Sequence, residues 1–184
     1  GYSITHAPLV IKDKVIVGVG GGEYGIRGFI AAYNVETGKE AWRFYTIPGP
    51  GEKGHETWEA CPPKSETFCD PEAWKHGGGS IWMTGSYDPK LNLTYWGVGN
   101  VGPDYAGAQR PGDNLFTASI VALDADNGTL RWHYQFTPHD THDWDAAEVP
   151  VLVDAKIGGA DRKLLLQASR NGYYVVLDRT TGKN

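Results

Sequence analysis

The segments Ala32-Tyr-Asn-Val-Glu-Thr-Gly38-Lys-Glu-Ala-Trp42 and Ala122-Leu-Asp-Ala-Asp-Asn-Gly128-Thr-Leu-Arg-Trp132 share one spacing, from Ala through Gly to Trp. A third copy, Val176-Leu-Asp-Arg-Thr-Thr-Gly182-Lys, reaches the turn glycine but not a Trp. Each copy reads as strand, tight turn and strand, with Thr-Gly or Asn-Gly at the turn because glycine takes positive φ without a Cβ clash. The Trp at a constant offset offers a large flat face for packing against a neighbouring copy. Hairpins repeated along one chain predict the blades of a β-propeller.

The rest of the chain agrees with an all-β fold. Short runs rich in Val, Ile, Tyr and Trp (14–19, 28–33, 40–45, 93–97, 119–123, 130–135, 163–168 and 173–177) alternate with Gly, Pro and Asp clusters. Two long loops interrupt the repeat, Pro48–Gly79 and Val101–Asn114. Loops of that length on a β scaffold more often shape a site than merely connect strands. The 184 residues suffice for a sizeable core, and no apolar run is long enough to span a bilayer. A net charge of −5 argues against nucleic acid or an anionic membrane surface as partner. Cys61 and Cys69 are the only cysteines; a local disulfide between them would suit an oxidising compartment. The chain opens on Gly1 without Met and stops inside a turn at Asn184, so residues 1–184 are expected to be an internal piece of a longer protein.

The most chemically loaded stretch is His139-Asp-Thr-His-Asp-Trp-Asp145. Read as an extended strand, it puts Asp143 and Asp145 on one face and Trp144 on the other. Two converging carboxylates repel unless a cation or a shared proton lies between them. His139 and His142 raise a zinc reading, but neither a helix nor a further His/Cys cluster supports it. Glu23, in the glycine-rich turn Gly20–Gly25, and Asn100, at the end of a strand, complete an all-oxygen set with Asp143 and Asp145. Three charges and an amide oxygen suit a hard cation. Gly21 and Gly22 allow backbone to approach a ligand closely. The formal Gly-x-Gly-x-x-Gly there leads into a strand rather than a helix, which argues against a dinucleotide site. Arg170 stands at the turn Arg170-Asn-Gly172.

These motifs, in this order, resemble the pyrroloquinoline-quinone (PQQ) dependent alcohol dehydrogenases, the quinoprotein methanol and ethanol dehydrogenases. The resemblance rests on the glycine turn around Glu23, the Trp repeats, Gly77-Gly-Gly-Ser-Ile-Trp82, Gly97-Val-Gly-Asn100, Pro111-Gly-Asp-Asn114, Thr137-Pro-His-Asp140, Asp143-Trp-Asp145 and Arg170-Asn-Gly172. It implies an eight-bladed propeller, of which this chain would hold about three blades. It also implies Glu23 and Asn100 as metal ligands and Asp143 as the catalytic base at the metal. Trp82 would be the floor beneath the quinone, Arg170 the partner of its carbonyl oxygens, and Thr5 and Ser80 hydroxyl contacts. The implied reaction oxidises a primary alcohol to the aldehyde in the periplasm, with the metal as Lewis acid and a c-type cytochrome as electron acceptor. The full-length form could be a homodimer.

Asp145 narrows the resemblance further. Calcium-dependent members place a small residue there, whereas lanthanide-dependent members place Asp. A trivalent ion is better neutralised by the extra carboxylate. The expected ion is therefore a lanthanide(III), with Ca2+ as the alternative. The rival class is a non-catalytic propeller scaffold, which accounts for the hairpins but not for the acidic set together with Arg170.

Overall fold

The computed structural model describes residues 1–62 and 68–184. Eleven strands form three antiparallel sheets among the described residues. The first contains β1 (Leu9–Ile11), β2 (Lys14–Gly18), β3 (Phe29–Asn34) and β4 (Glu40–Tyr45). The second contains β5 (Ser86–Asp88), β6 (Leu93–Val98), β7 (Ser119–Asp124) and β8 (Leu130–Gln135). The third has β9 (Val151–Ile157), β10 (Ala160–Ala168) and β11 (Tyr174–Asp178). Each is a simple meander in chain order, the form of a propeller blade. The third ends at the third copy of the repeat, with Gly182 at its turn. The strand-like run Pro8–Gly18 is split by a turn into β1 and β2, and strands β5 and β9 are short or charged enough to have escaped the sequence reading.

The repeated hairpins fold alike. Asn34, Asp124 and Asp178 each accept two backbone N–H groups through Oδ1, closing the turn from its first residue. Gly38, Gly128 and Gly182 follow at φ 68°, 72° and 74°. The register slips by one between Ala32 and Tyr33 and between Ala122 and Leu123. The slip is a β-bulge, which adds twist without losing the pairing on either side.

Those hairpins also join the sheets. The Trp42 indole donates to the Ala125 carbonyl at 3.2 Å and covers Gly128, where a Cβ would fall 2.5 Å from the ring. Trp132 repeats the contact one sheet on, donating to the Arg179 carbonyl at 3.0 Å and covering Gly182. Period-two alternation then fills both interfaces of the middle sheet. Trp96, Val98, Val121 and Leu123 pack toward the first sheet, and Leu93, Tyr95, Ile120 and Ala122 toward the third. Strand β6 is consequently buried at every position. A buried ion pair, Arg179 to Asp88 at 2.7 Å, pins the third sheet to the second. Under the long loop after β4, Ile47, Trp58, Ala73 and Val101 make a satellite core, and Cys61 and Cys69 are joined as a disulfide. No helix of the described residues is long and apolar enough to cross a membrane.

Candidate active site

Three connections converge at one end of the first two sheets. The first is the single 3-10 turn Gly22–Tyr24, flanked by Gly21 and Gly25 at φ 107° and 64°. The φ of Gly21 lies beyond what a side chain tolerates without strain, and the turn leaves Glu23 exposed. Gly22 is excluded from carrying a side chain for a second reason: a Cβ there would lie 2.8 Å from Asn100 Oδ1 and 3.0 Å from Ser80 Oγ. The second connection is the segment after β6, where Gly99 N–H donates to the Ser80 carbonyl at 2.8 Å and delivers the buried Asn100. The third carries the acids.

Residues 140–147 are not the extended strand that the sequence suggested. They form an irregular loop, and Asp143 adopts the left-handed conformation at φ 59°. The loop's conformation comes from Asp140, whose two carboxylate oxygens accept the N–H groups of His142 and Trp144 at 2.8 and 2.7 Å. Asp145 is placed by contacts from two other connections. Its Oδ1 accepts Asn100 N–H at 2.8 Å, and its Oδ2 accepts Arg170 Nη1 at 2.7 Å. Trp144 is half-buried and stacks on His142 with centroids 5.6 Å apart. His139 donates Nδ1–H to the Gly112 carbonyl at 2.7 Å.

Thr5, Gly21, Glu23, Ser80, Trp82 and Asp145, all proposed from the sequence, line one cavity of about 300 Å³. Trp82 is 38% exposed, and an indole offers a flat surface on which a planar ligand can stack. Thr5 Oγ1 lies 3.5 Å from the Trp82 carbonyl, across the mouth of the cavity. Arg170 reaches the site from the turn between β10 and β11 through Asp145.

The electrostatics are those of crowded acids. Burial pushes the Asp143 carboxyl up to about 6, aided by the charges of Asp145 and Asp104 and opposed by Arg170. Burial also raises Asp145, against the Asn100 N–H and the Arg170 guanidinium. Asp104 is raised by burial, with the Asn100 amide holding it back. Two buried oxygens here, Asn100 Oδ1 and Asp143 Oδ1, have no hydrogen-bond partner. An unsatisfied buried oxygen costs about 1–3 kcal/mol, so a pair at one site points to a ligand that uses them. Among the described residues, no three His, Cys, Asp or Glu side chains close up tightly enough to hold an ion by themselves. Glu23, Asp143 and Asp145 therefore do not form a ready-closed cation site, and a hard cation would have to draw them together with the Asn100 amide.

Sequence reasoning passed over three residues that build this site: Asp104, Arg110 and Asp140. Asp140 and Asp104 lay in stretches already marked as motif or site loop, but nothing local distinguishes a carboxylate that braces a loop from one that faces solvent.

Residues 1–184 match the PQQ family model described as glucose/ethanol/alcohol dehydrogenase, beta-propeller domain. The chain belongs to this family. It is 48% identical over 185 residues to the quinohemoprotein alcohol dehydrogenase ADH IIB of Pseudomonas putida, covering 99% of this chain and 27% of that one. The lanthanide-dependent methanol dehydrogenase of Methylacidiphilum fumariolicum is 42% identical, with 100% and 31% covered. Among solved structures, a europium-containing methanol dehydrogenase superposes with a TM-score of 0.86 at 39% identity, covering 99% of this chain and 33% of that one. The chain thus spans about a third or less of the relatives it matches, and its three sheets correspond to part of the family's propeller.

Proposed function

We propose that the protein to which this chain belongs oxidises a primary alcohol, such as methanol or ethanol, to its aldehyde. The observation that carries the reading is the buried, unpartnered Oδ1 atoms of Asn100 and Asp143, with Asn100 N–H bonded to Asp145, which lines one cavity with Trp82. A non-catalytic scaffold gives no reason for either. A bound PQQ supplies the two-electron acceptor, and a bound hard cation supplies the positive charge that the acids require.

The chain's own residues then have distinct tasks. Trp82 provides a flat apolar floor, with the hydroxyls of Thr5 and Ser80 at its edge. Glu23, Asn100, Asp143 and Asp145 would hold the cation. Asp143 takes the alcohol's hydroxyl proton on a carboxylate oxygen, a general-base role that its unpartnered Oδ1 leaves open. Arg170 would hold a guanidinium toward the oxygens of the PQQ. Electrons pass on to a c-type cytochrome in the periplasm, where the Cys61–Cys69 disulfide is stable.

Asp145 favours a lanthanide(III) ion, because a fourth ligand that is also anionic offsets the third charge. One observation supports Ca2+ instead: Arg170 already balances the Asp145 carboxylate, leaving Glu23 and Asp143 for a divalent ion. Turnover of the full-length, PQQ-loaded protein with La3+ and with Ca2+ separates them. La3+ is expected to support the faster rate, and Asp145→Ala to abolish that advantage. Lanthanide-supported turnover that survives Asp145→Ala sinks the metal assignment, and absence of turnover with PQQ and either metal sinks the enzyme reading.

A further inference from the structure

We propose that Asp104 is a positioning residue that sets the amide orientation of Asn100, so that Oδ1 rather than Nδ2 faces the cation site. The inference rests on the proposed role of Asn100 as a metal ligand.

Asn100 is 1% exposed, so its amide has no water to choose. Its Nδ2 donates to Asp104 Oδ1 and, at 3.4 Å, to the Val101 carbonyl. A carbonyl only accepts, and so does an ionised carboxylate. Turning the amide over would set Oδ1 against both acceptors and leave a buried NH2 without a partner. The chemistry of the neighbours therefore settles an orientation that amide shape alone leaves open. On the other side, Oδ1 is unpartnered and faces the space that Gly22 keeps clear by lacking a Cβ.

Asp104 is itself held in place. Arg110, 1% exposed, donates Nη2–H to the Asp104 carbonyl at 2.7 Å and Nε–H to the Pro103 carbonyl at 3.0 Å. The same guanidinium donates to Asn114 Oδ1 at 3.0 Å and to the Asp140 carbonyl at 2.6 Å. One buried cation thus ties the loop that orients Asn100 to the loop that carries Asp143. Such outer groups fix the direction of ligands they never replace.

The test is ion binding by full-length, metal-free protein, followed by Tb3+ luminescence sensitised by indole and by equilibrium dialysis of Ca2+. Asp104→Ala is expected to weaken both ions by about 10- to 100-fold, the range found for such supporting groups. Asp104→Asn keeps a carbonyl acceptor for Nδ2 and is expected to return most of that affinity. Its unfolding midpoint also guards against a folding defect in the alanine variant. If Asp104→Ala binds both ions like the parent, or if both variants lose equally with Tb3+ hit harder than Ca2+, the orienting role is overturned; the second pattern is that of bare charge. Asn100→Ala is the control: if it binds like the parent, the metal reading itself fails, and this inference with it.

Discussion

The hairpin 122–132 and the loop 140–147 stand within one blade's reach of each other and follow opposite rules. In the hairpin, the Asp124 side chain, the Asn127-Gly128 turn and the alternating strand residues agree on one conformation before any neighbour arrives. In the acidic loop, local pattern suggests a strand and the molecule does something else. Asp140 turns the chain back on itself, Asp143 adopts a positive φ, and Asn100 and Arg170 fix Asp145 from distant connections. A repeat can be read where local preferences and tertiary packing coincide. A site departs from local preference, because its groups are held by partners far apart in sequence.

The sharpest way to break this contrast is at Asp143. Asp143→Asn in the full-length holoenzyme is expected to lower kcat by about 10²- to 10⁴-fold, the usual contribution of a general base, with the fold intact. A loss matched by an equal loss of folded protein would make the residue structural. In the repeat the opposite split holds. Trp132→Ala removes the indole that covers Gly182 and is expected to destabilise by about 3–5 kcal/mol in denaturant unfolding of the full-length protein. An unchanged midpoint would show that the docking contact carries no stability.

A smaller effect compares two carboxylates. Burial pushes the Asp88 carboxyl up, but the Arg179 guanidinium and the N–H groups of Leu91 and Lys90 outweigh it and hold it below the ordinary range. Its stabilisation is present above the unfolded value of about 3.9 and is lost as pH falls through the lower folded value. Asp143 has the opposite sign. Raised to about 6, it costs the metal-free fold stability as pH climbs from the unfolded value toward that point. Thermal midpoints of metal-free protein should therefore respond at opposite ends of the acid range. Asp88→Asn is expected to flatten the fall below about pH 4, and Asp143→Asn the decline between about pH 4 and 6. The reverse pattern would contradict both assignments.

Much of the architecture was legible in the residues. The Ala–Gly–Trp spacing marked the hairpins, and the expected blades are present as two four-stranded sheets and a three-stranded one. Every cavity residue proposed from sequence lines the site or touches a residue that does, apart from Asp143, which the charges of Asp145 and Arg170 place nearby. The residues that hold the site were not legible. Asp104, Arg110 and Asp140 are ordinary loop residues in one dimension, and their roles exist only once Arg110 is buried between its own connection and one thirty residues further along the chain.

By itself, then, the sequence determined the repeat, its turn glycines and the acid–amide set, because backbone preference and donor chemistry belong to residues individually. Tertiary structure alone decided that Asp143 and Asp145 sit in an irregular loop, with Asp143 left-handed, rather than along a strand, and which atom of Asn100 faces Gly22. Those outcomes depend on which acceptors, donors and glycines surround each group after burial, where an unpaired polar atom is costly and the arrangement that satisfies most of them prevails.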